Sequence, residues 1–138
     1  KKFINKSFFF VAYGDGIANI NFKKLIEHHE KSKKKITLTC YPFTPDKGIL
    51  YLNMTKKKFK FYEKIKLNNF WINIGYFVIN TDMLKFIENK NISFERKFIN
   101  KYIKENKVNF YKFNKTWMCL DHCKDLDKLK LFFKKKKL

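Results

Sequence analysis

The stretch Phe8-Phe9-Phe10-Val11-Ala12-Tyr13-Gly14-Asp15-Gly16 decides the fold class. From Phe8 to Tyr13 the chain runs apolar or aromatic without a polar break and then meets two glycines, the pattern of a strand buried on both faces that ends in a turn. It is expected as a central, parallel strand. The turn puts the Asp15 carboxylate at the carboxyl end of that strand, where open α/β sheets bind their ligands, and Gly14 and Gly16 let a ligand approach the backbone. Taken alone, Tyr13-Gly14-Asp15-Gly16 is equally an ordinary Asp-Gly turn.

Downstream, Asn19 or Asn21 can cap a helix whose apolar positions Phe22, Leu25 and Ile26 recur at helical spacing, with Glu27, His28 and Glu30 outward. Ile36, Leu38 and Cys40 alternate with Thr37, Thr39 and Tyr41 in a second strand that Pro42 and Pro45 stop, completing a βαβ unit with parallel pairing. Two shorter strands are expected over 48–53 and 58–63, and a second long buried strand over 70–79. Asn80 or Thr81 caps a helix through Met83, Leu84, Phe86 and Ile87, and a further helix runs over 94–104 with Phe98, Ile99, Tyr102 and Ile103 inward. A strand over 108–113 and a last helix from about Asp121, carrying Leu126, Leu129, Leu131 and Phe132, complete one α/β unit with a mixed sheet.

The composition bounds the function. The 138 residues are 45% hydrophobic, enough to fill one core. Lys and Arg number 32 against 12 Asp and Glu, for a net charge of +20 that suggests a polyanionic partner. The basic residues are nearly all Lys and are spread along the chain, whereas base-reading surfaces favour Arg forks, so the charge reads as compositional drift toward Lys, Asn, Ile and Phe and no specific nucleic-acid partner is expected. A basic module that binds nucleic acid non-specifically is the competing reading from another class. The three cysteines have no disulfide-framework spacing, which favours a reducing, cytoplasmic setting. No apolar run approaches the roughly 20 residues of a membrane span. The chain begins at Lys1 rather than Met and is expected to be cut at its N-terminus, and the run from Lys134 to Leu138 is expected as a frayed basic tail.

Four segments in order carry a resemblance. Phe9-Phe10-Val11-x-Tyr13-Gly14-Asp15-Gly16, Glu63-Lys64, Trp71-Ile72-Asn73-x-Gly75-x-Phe77-Val78 and Trp117-x-x-Leu120-Asp121-x-x-Lys124-Asp125 resemble the glucose-1-phosphate cytidylyltransferases, a branch of the sugar-1-phosphate nucleotidyltransferases. The resemblance spans the whole chain, and its ordered spacing is more specific than any one segment. Ile65 stands where the family has the proline of Glu-Lys-Pro, Ile74 where it has a glycine, Lys47 where it has a phenylalanine and His122 where it has a threonine.

The resemblance implies the C-terminal part of a Rossmann-like nucleotide-diphospho-sugar transferase fold. It also implies a reaction in which a sugar 1-phosphate attacks the α-phosphate of CTP, with Mg²⁺ neutralising charge and aligning the reactants. Asp15 and Asp121 match the metal-binding carboxylates of that family; Asp121 alone is also a candidate N-terminal cap of the last helix. By the same resemblance, Lys64 supplies positive charge to the sugar phosphate and Glu63 accepts hydrogen bonds from sugar hydroxyls, with Gly14, Asn73 and Gly75 also on the substrate side. Asn73 sits on an otherwise apolar strand, where its amide needs either a sugar hydroxyl or a structural partner. CTP and glucose 1-phosphate are the implied partners, the product serves deoxysugar and surface-polysaccharide synthesis, and the complete protein is expected as a homo-oligomer. No Gly-rich phosphate loop occurs among the four glycines, so the nucleotide side is expected upstream of Lys1 and the fragment alone is expected to be inactive. Cys119, His122 and Cys123 lack the second half of a zinc site and read as helix-face residues, as do His28 and His29.

Overall fold

The computed structural model describes residues 4–63, 65, 67–87 and 94–136. The alternation of elements seen in the sequence gives a mixed α/β architecture. Strand β1 (Phe8–Ala12) leads into a short β2 (Gly16–Ala18), helix α1 (Phe22–Ser32) and β3 (Ile36–Pro42). A hairpin of β4 (Ile49–Asn53) and β5 (Lys58–Tyr62) precedes the ten-residue β6 (Trp71–Asn80). A 3₁₀ turn (Thr81–Phe86) and a π-helical turn (Phe94–Ile99) then lead into α2 (Asn100–Lys104), followed by β7 (Val108–Lys112), β8 (Trp117–Cys119) and α3 (Cys123–Lys136).

Four strands form the main sheet in the order β1-β6-β3-β7. The expected mixed sheet is present, but the place of its first strand differs. β1 is an edge strand of the sheet among the described residues and pairs antiparallel with β6, in the register Phe8↔Asn80 to Ala12↔Tyr76. The parallel pair is β3 with β7. β1 and β3 do run in the same direction, as a βαβ unit requires, but β6 lies between them and is antiparallel to both. An apolar run reports that a strand is buried; it carries no information about which neighbour it meets or in which direction.

The two faces of β6 explain where the core sits. Side chains alternate across a strand, so Phe77 and Ile79 enter one cluster with Ile36, Met83, Ile99 and Tyr102, while Ile74 and Val78 enter the other with Ile20, Leu25 and Phe113. Phe9, Val11 and Tyr13 of the opening stretch pack on the first cluster and Phe8 on the second, so the run does contact both faces. Asn21 caps α1, its side chain accepting from Lys24 N at 3.0 Å, and Lys33 ends it in the left-handed conformation (φ 54°).

Helix α1 shows where the outward assignment of its histidines fails. His29 is 3% exposed. Its Nε2–H donates to the Asn80 side-chain oxygen at 2.7 Å, which leaves Nδ1 to accept from the Thr37 hydroxyl at 2.8 Å. His28 also turns to the sheet, with Nε2 3.0 Å from the Phe110 carbonyl oxygen. Positions 22, 25 and 29 share one helical stripe, so the spacing that placed Leu25 inward places His29 there too. Asn80, expected as a helix cap, makes no side-chain cap bond and holds His29 instead.

In the β4–β5 hairpin, Leu50 pairs with Phe61 and Leu52 with Phe59, which puts four exposed apolar side chains on one face. Lys134 to Lys136 fall within the bounds of α3, and 137–138 lie outside the described residues. Among the described residues no helix is long and apolar enough to cross a membrane.

Candidate active site

The site is built where the opening strand leaves the sheet. Beyond β1 the ladder to β6 continues for one bond, Tyr13 N–H donating to the Gly75 carbonyl at 2.9 Å. Gly75 has φ +79°, and a Cβ there would lie 2.6 Å from the Tyr13 ring, so only glycine lets the ring lie across β6 at this point. The chain then turns at Gly14-Asp15 and pairs as β2 with β8, Gly16 opposite Cys119 and Ala18 opposite Trp117. The Tyr76 hydroxyl donates to the Gly16 carbonyl at 2.7 Å, and Leu120 N–H donates to the Asp15 carbonyl at 2.8 Å. These bonds bring two segments about a hundred residues apart in sequence into one ribbon, with Asp15 at one end and Asp121 just past the other strand.

One ligand atom each from Asp15, Cys119 and Asp121 lies within 4.8 Å of the other two. Both carboxylates are exposed and the thiol is half-buried. Among the described residues neither aspartate has an ion-pair partner, in a chain where lysine is abundant. Two exposed carboxylates thus stand side by side without a compensating cation among the described residues, in a chain of net charge +20. The Cys119 thiol donates to Asp121 Oδ1 at 3.3 Å. Burial first, then that bond and the negative charges of Asp121 and Asp15, push the thiol up to about 11, so it carries its proton at neutral pH.

Helix capping is not the work of Asp121. The backbone N–H of His122, just before α3, donates to Asp125 Oδ2 at 3.1 Å, and Asp125 also accepts from Lys128 at 2.9 Å. Those bonds hold the Asp125 carboxyl below the usual range, the Lys128 contact contributing most. Asp125 therefore serves the helix start, and Asp121 keeps its carboxylate for the ribbon end.

The other expected site residues are placed less tightly. Beside Gly14 there is open space, with nothing within 4 Å of where a Cβ would stand. Asn73 is exposed; its Oδ1 accepts from Gly75 N at 3.0 Å, and its Nδ2 lies 3.5 Å from the Tyr13 hydroxyl, at the limit of a hydrogen bond. Asn73 thus has a structural partner and an amide nitrogen with capacity to spare. Ile74, the side chain that replaces the family's glycine, points into the core on the face opposite Asn73, so the two do not crowd each other. Glu63 follows β5 and is exposed; its Oε2 comes 3.4 Å from the Cβ position of Gly48, at the base of the hairpin. Lys64 lies outside the described residues.

Two residues of this site were not singled out from sequence. Tyr13 locks the turn to β6 through its ring and backbone. Cys119 was taken for a helix-face residue, but it lies in β8, and the short apolar run Trp117-Met118-Cys119 carries no alternation that marks it as a strand.

Residues 1–135 match the family model described as Nucleotidyl transferase. The chain belongs to that family. It is 29% identical over 118 residues to the glucose-1-phosphate cytidylyltransferase of Salmonella typhimurium, a match covering 85% of this chain and 45% of that protein. A Bacillus subtilis protein named probable glucose-1-phosphate cytidylyltransferase is 28% identical over 127 residues, covering 91% of this chain and 49% of the relative. The chain thus spans about half the length of the relatives it matches. Among solved structures, HddC from Yersinia pseudotuberculosis superposes with a TM-score of 0.63 at 20% identity, covering 96% of this chain and 58% of that one, which shows a shared fold. The nucleotidyl transferase family is the one the four ordered segments resembled.

Proposed function

We propose that the complete protein carrying this chain forms CDP-glucose and pyrophosphate from CTP and glucose 1-phosphate, and that this chain supplies the sugar-phosphate and metal side of the site. The observation that carries the reading is the meeting of Asp15 and Asp121 at the end of the β2–β8 ribbon, free of ion-pair partners among the described residues. The cytidylyltransferase relatives favour CTP and glucose 1-phosphate as the pair of substrates.

The donor set suits a hard divalent cation. Mg²⁺ needs one or two protein carboxylates and completes its shell with water and phosphate oxygens, which two exposed, adjacent carboxylates allow. Bound there, Mg²⁺ would neutralise phosphate charge and hold the reacting groups in line. The chain's own residues do the rest. The open space beside Gly14 admits a ligand next to the backbone, and the Asn73 amide, with Glu63, offers hydrogen bonds to sugar hydroxyls. Lys64 is assigned to the sugar phosphate as its counter-charge. A sugar-phosphate oxygen then attacks the α-phosphorus, the bond to the β-phosphate breaks, and pyrophosphate leaves. Product use in deoxysugar and surface-polysaccharide synthesis, a cytoplasmic setting and a homo-oligomeric complete protein belong to the same reading.

Pyrophosphate release by the complete protein, measured with glucose 1-phosphate, Mg²⁺ and each of CTP, UTP, dTTP and GTP, tests it. CTP should be preferred, and Asp15→Ala should lower the rate by roughly 100-fold or more. Preference for another nucleotide would reassign the donor; an unchanged rate in Asp15→Ala would remove the site.

A further inference from the structure

Of the three ligand-bearing side chains gathered at the ribbon end among the described residues, Cys119 is the one that the proposed reaction does not use. It lies opposite Gly16 in the β2–β8 register, so its position is set by the same pairing that sets Asp15 and Asp121. The mutual distances describe what the three side chains can hold. Donors sharing one tetrahedral Zn²⁺ lie about 3.5 Å apart, given bond lengths of roughly 2.0 to 2.3 Å. The Cys119 sulfur and Asp121 Oδ1 already stand at 3.3 Å, and the widest separation among the three is no more than 4.8 Å. Closing the remainder takes a movement of about 1 Å, within the rotamer freedom of exposed aspartates.

We propose that Cys119 joins Asp15 and Asp121 in a three-donor site for a borderline-soft divalent cation such as Zn²⁺, Co²⁺ or Cd²⁺, which occupies this position in competition with Mg²⁺. The inference deepens the proposed function and rests on its reading of Asp15 and Asp121 as metal ligands. The chemistry is one of ligand softness. Mg²⁺ gains nothing from sulfur and keeps an octahedral shell of oxygens, whereas a thiolate selects the softer ions, whose affinity for mixed O/S donors exceeds that of hard cations. On binding, the metal takes the place of the thiol proton now shared with Asp121, and that proton passes to solvent. Four-coordinate Zn²⁺ held by three protein donors keeps one position for water or a phosphate oxygen. The site therefore becomes sensitive to trace thiophilic metal.

Spectroscopy separates this inference from the reading it rests on. The full chain, reduced with a thiol-free phosphine, is titrated with Co²⁺ while the near-ultraviolet sulfur-to-cobalt charge-transfer band is followed, and separately with Mn²⁺ by water-proton relaxation. The band should appear in the parent and in Cys123→Ser, disappear in Cys119→Ser, and weaken at least ten-fold in apparent affinity in Asp15→Asn and Asp121→Asn. Mn²⁺ binding should survive Cys119→Ser and be lost in Asp15→Asn. A parent with no Co²⁺ band but with Mn²⁺ binding that Asp15→Asn abolishes would overturn the thiol ligand and leave the carboxylate reading standing. Loss of the band in Cys123→Ser rather than Cys119→Ser would also overturn it. Absence of both signals would overturn both.

Discussion

Gly75→Ala is the substitution that most directly tests how the site is held. Gly75 adopts φ +79°, and an added Cβ would sit 2.6 Å from two atoms of the Tyr13 ring and 2.8 Å from its Cβ. A non-glycine residue in this region costs roughly 1 to 2 kcal/mol, and forcing an extra methyl into occupied space costs about 1 to 3 kcal/mol. Together these give about 3 kcal/mol. With an unfolding entropy near 2 cal/mol/K per residue, a chain of 138 residues should lose about 10 °C in melting temperature. Urea and thermal unfolding followed by circular dichroism measure both quantities. The ring part of the collision separates in a double-mutant cycle, because Tyr13→Ala removes the two ring contacts and leaves the Cβ contact and the backbone conformation unchanged. Gly75→Ala should cost at least about 1 kcal/mol less in the Tyr13→Ala background. A single variant that melts within about 2 °C of the parent, or an equal cost in both backgrounds, would refute the close approach of Tyr13 to β6.

Two further outcomes follow from neighbouring groups. Burial lowers the His29 pKa below its ordinary value, with the Asn80 bond opposing the shift, so neutral His29 stabilises the fold above about pH 6.5 and that contribution is lost as pH falls from there toward the folded-state value. Urea stability measured from pH 8 to 5 should therefore fall less steeply in His29→Gln than in the parent, and parallel pH profiles would contradict the assignment. Gly14→Ala meets open space and should leave stability within about 0.5 kcal/mol of the parent, while raising the KM of the complete protein for the sugar phosphate roughly 10-fold by moving the ligand off the backbone; an unchanged KM would remove Gly14 from the substrate side.

The fold was legible wherever one local signal sufficed. The apolar run before Gly14, the Asn21 cap and the alternation in Ile36 to Cys40 each report on their own segment, and each formed the expected element. Adjacency was not legible. Pairing of β6 between β1 and β3 is a long-range choice made by a ten-residue strand with two apolar faces, and nothing in β1 encodes that its neighbour runs antiparallel. The helix over 94–104 shows a milder limit: its inward positions Ile99 and Tyr102 were readable from spacing, but Ile103, expected inward, is exposed, and the π-helical hydrogen bonding of the first half was not readable.

The site divides in the same way. Asp15 stood out as a carboxylate in a turn after a buried strand, yet a turn alone does not distinguish a ligand from a surface loop. What singles it out is the Leu120-to-Asp15 backbone bond and the Gly16–Cys119 register, which give it Asp121 as a neighbour. A different bond bears on the capping role that the sequence left open for Asp121. A carboxylate near a helix start caps the helix unless another group does so, and Asp125 accepts the His122 N–H. With the helix start served by Asp125, and with no lysine paired to Asp121 among the described residues, the carboxylate at the ribbon end is free for the cation of the proposed function. Ile74 bears on the same question from the other side of the sheet. Its replacement of glycine removes nothing from the site, because strand alternation sends its side chain into the cluster with Leu25 and Val78 while Asn73 stays on the face of Tyr13. The departure from the family pattern at Ile74 is thus a core substitution.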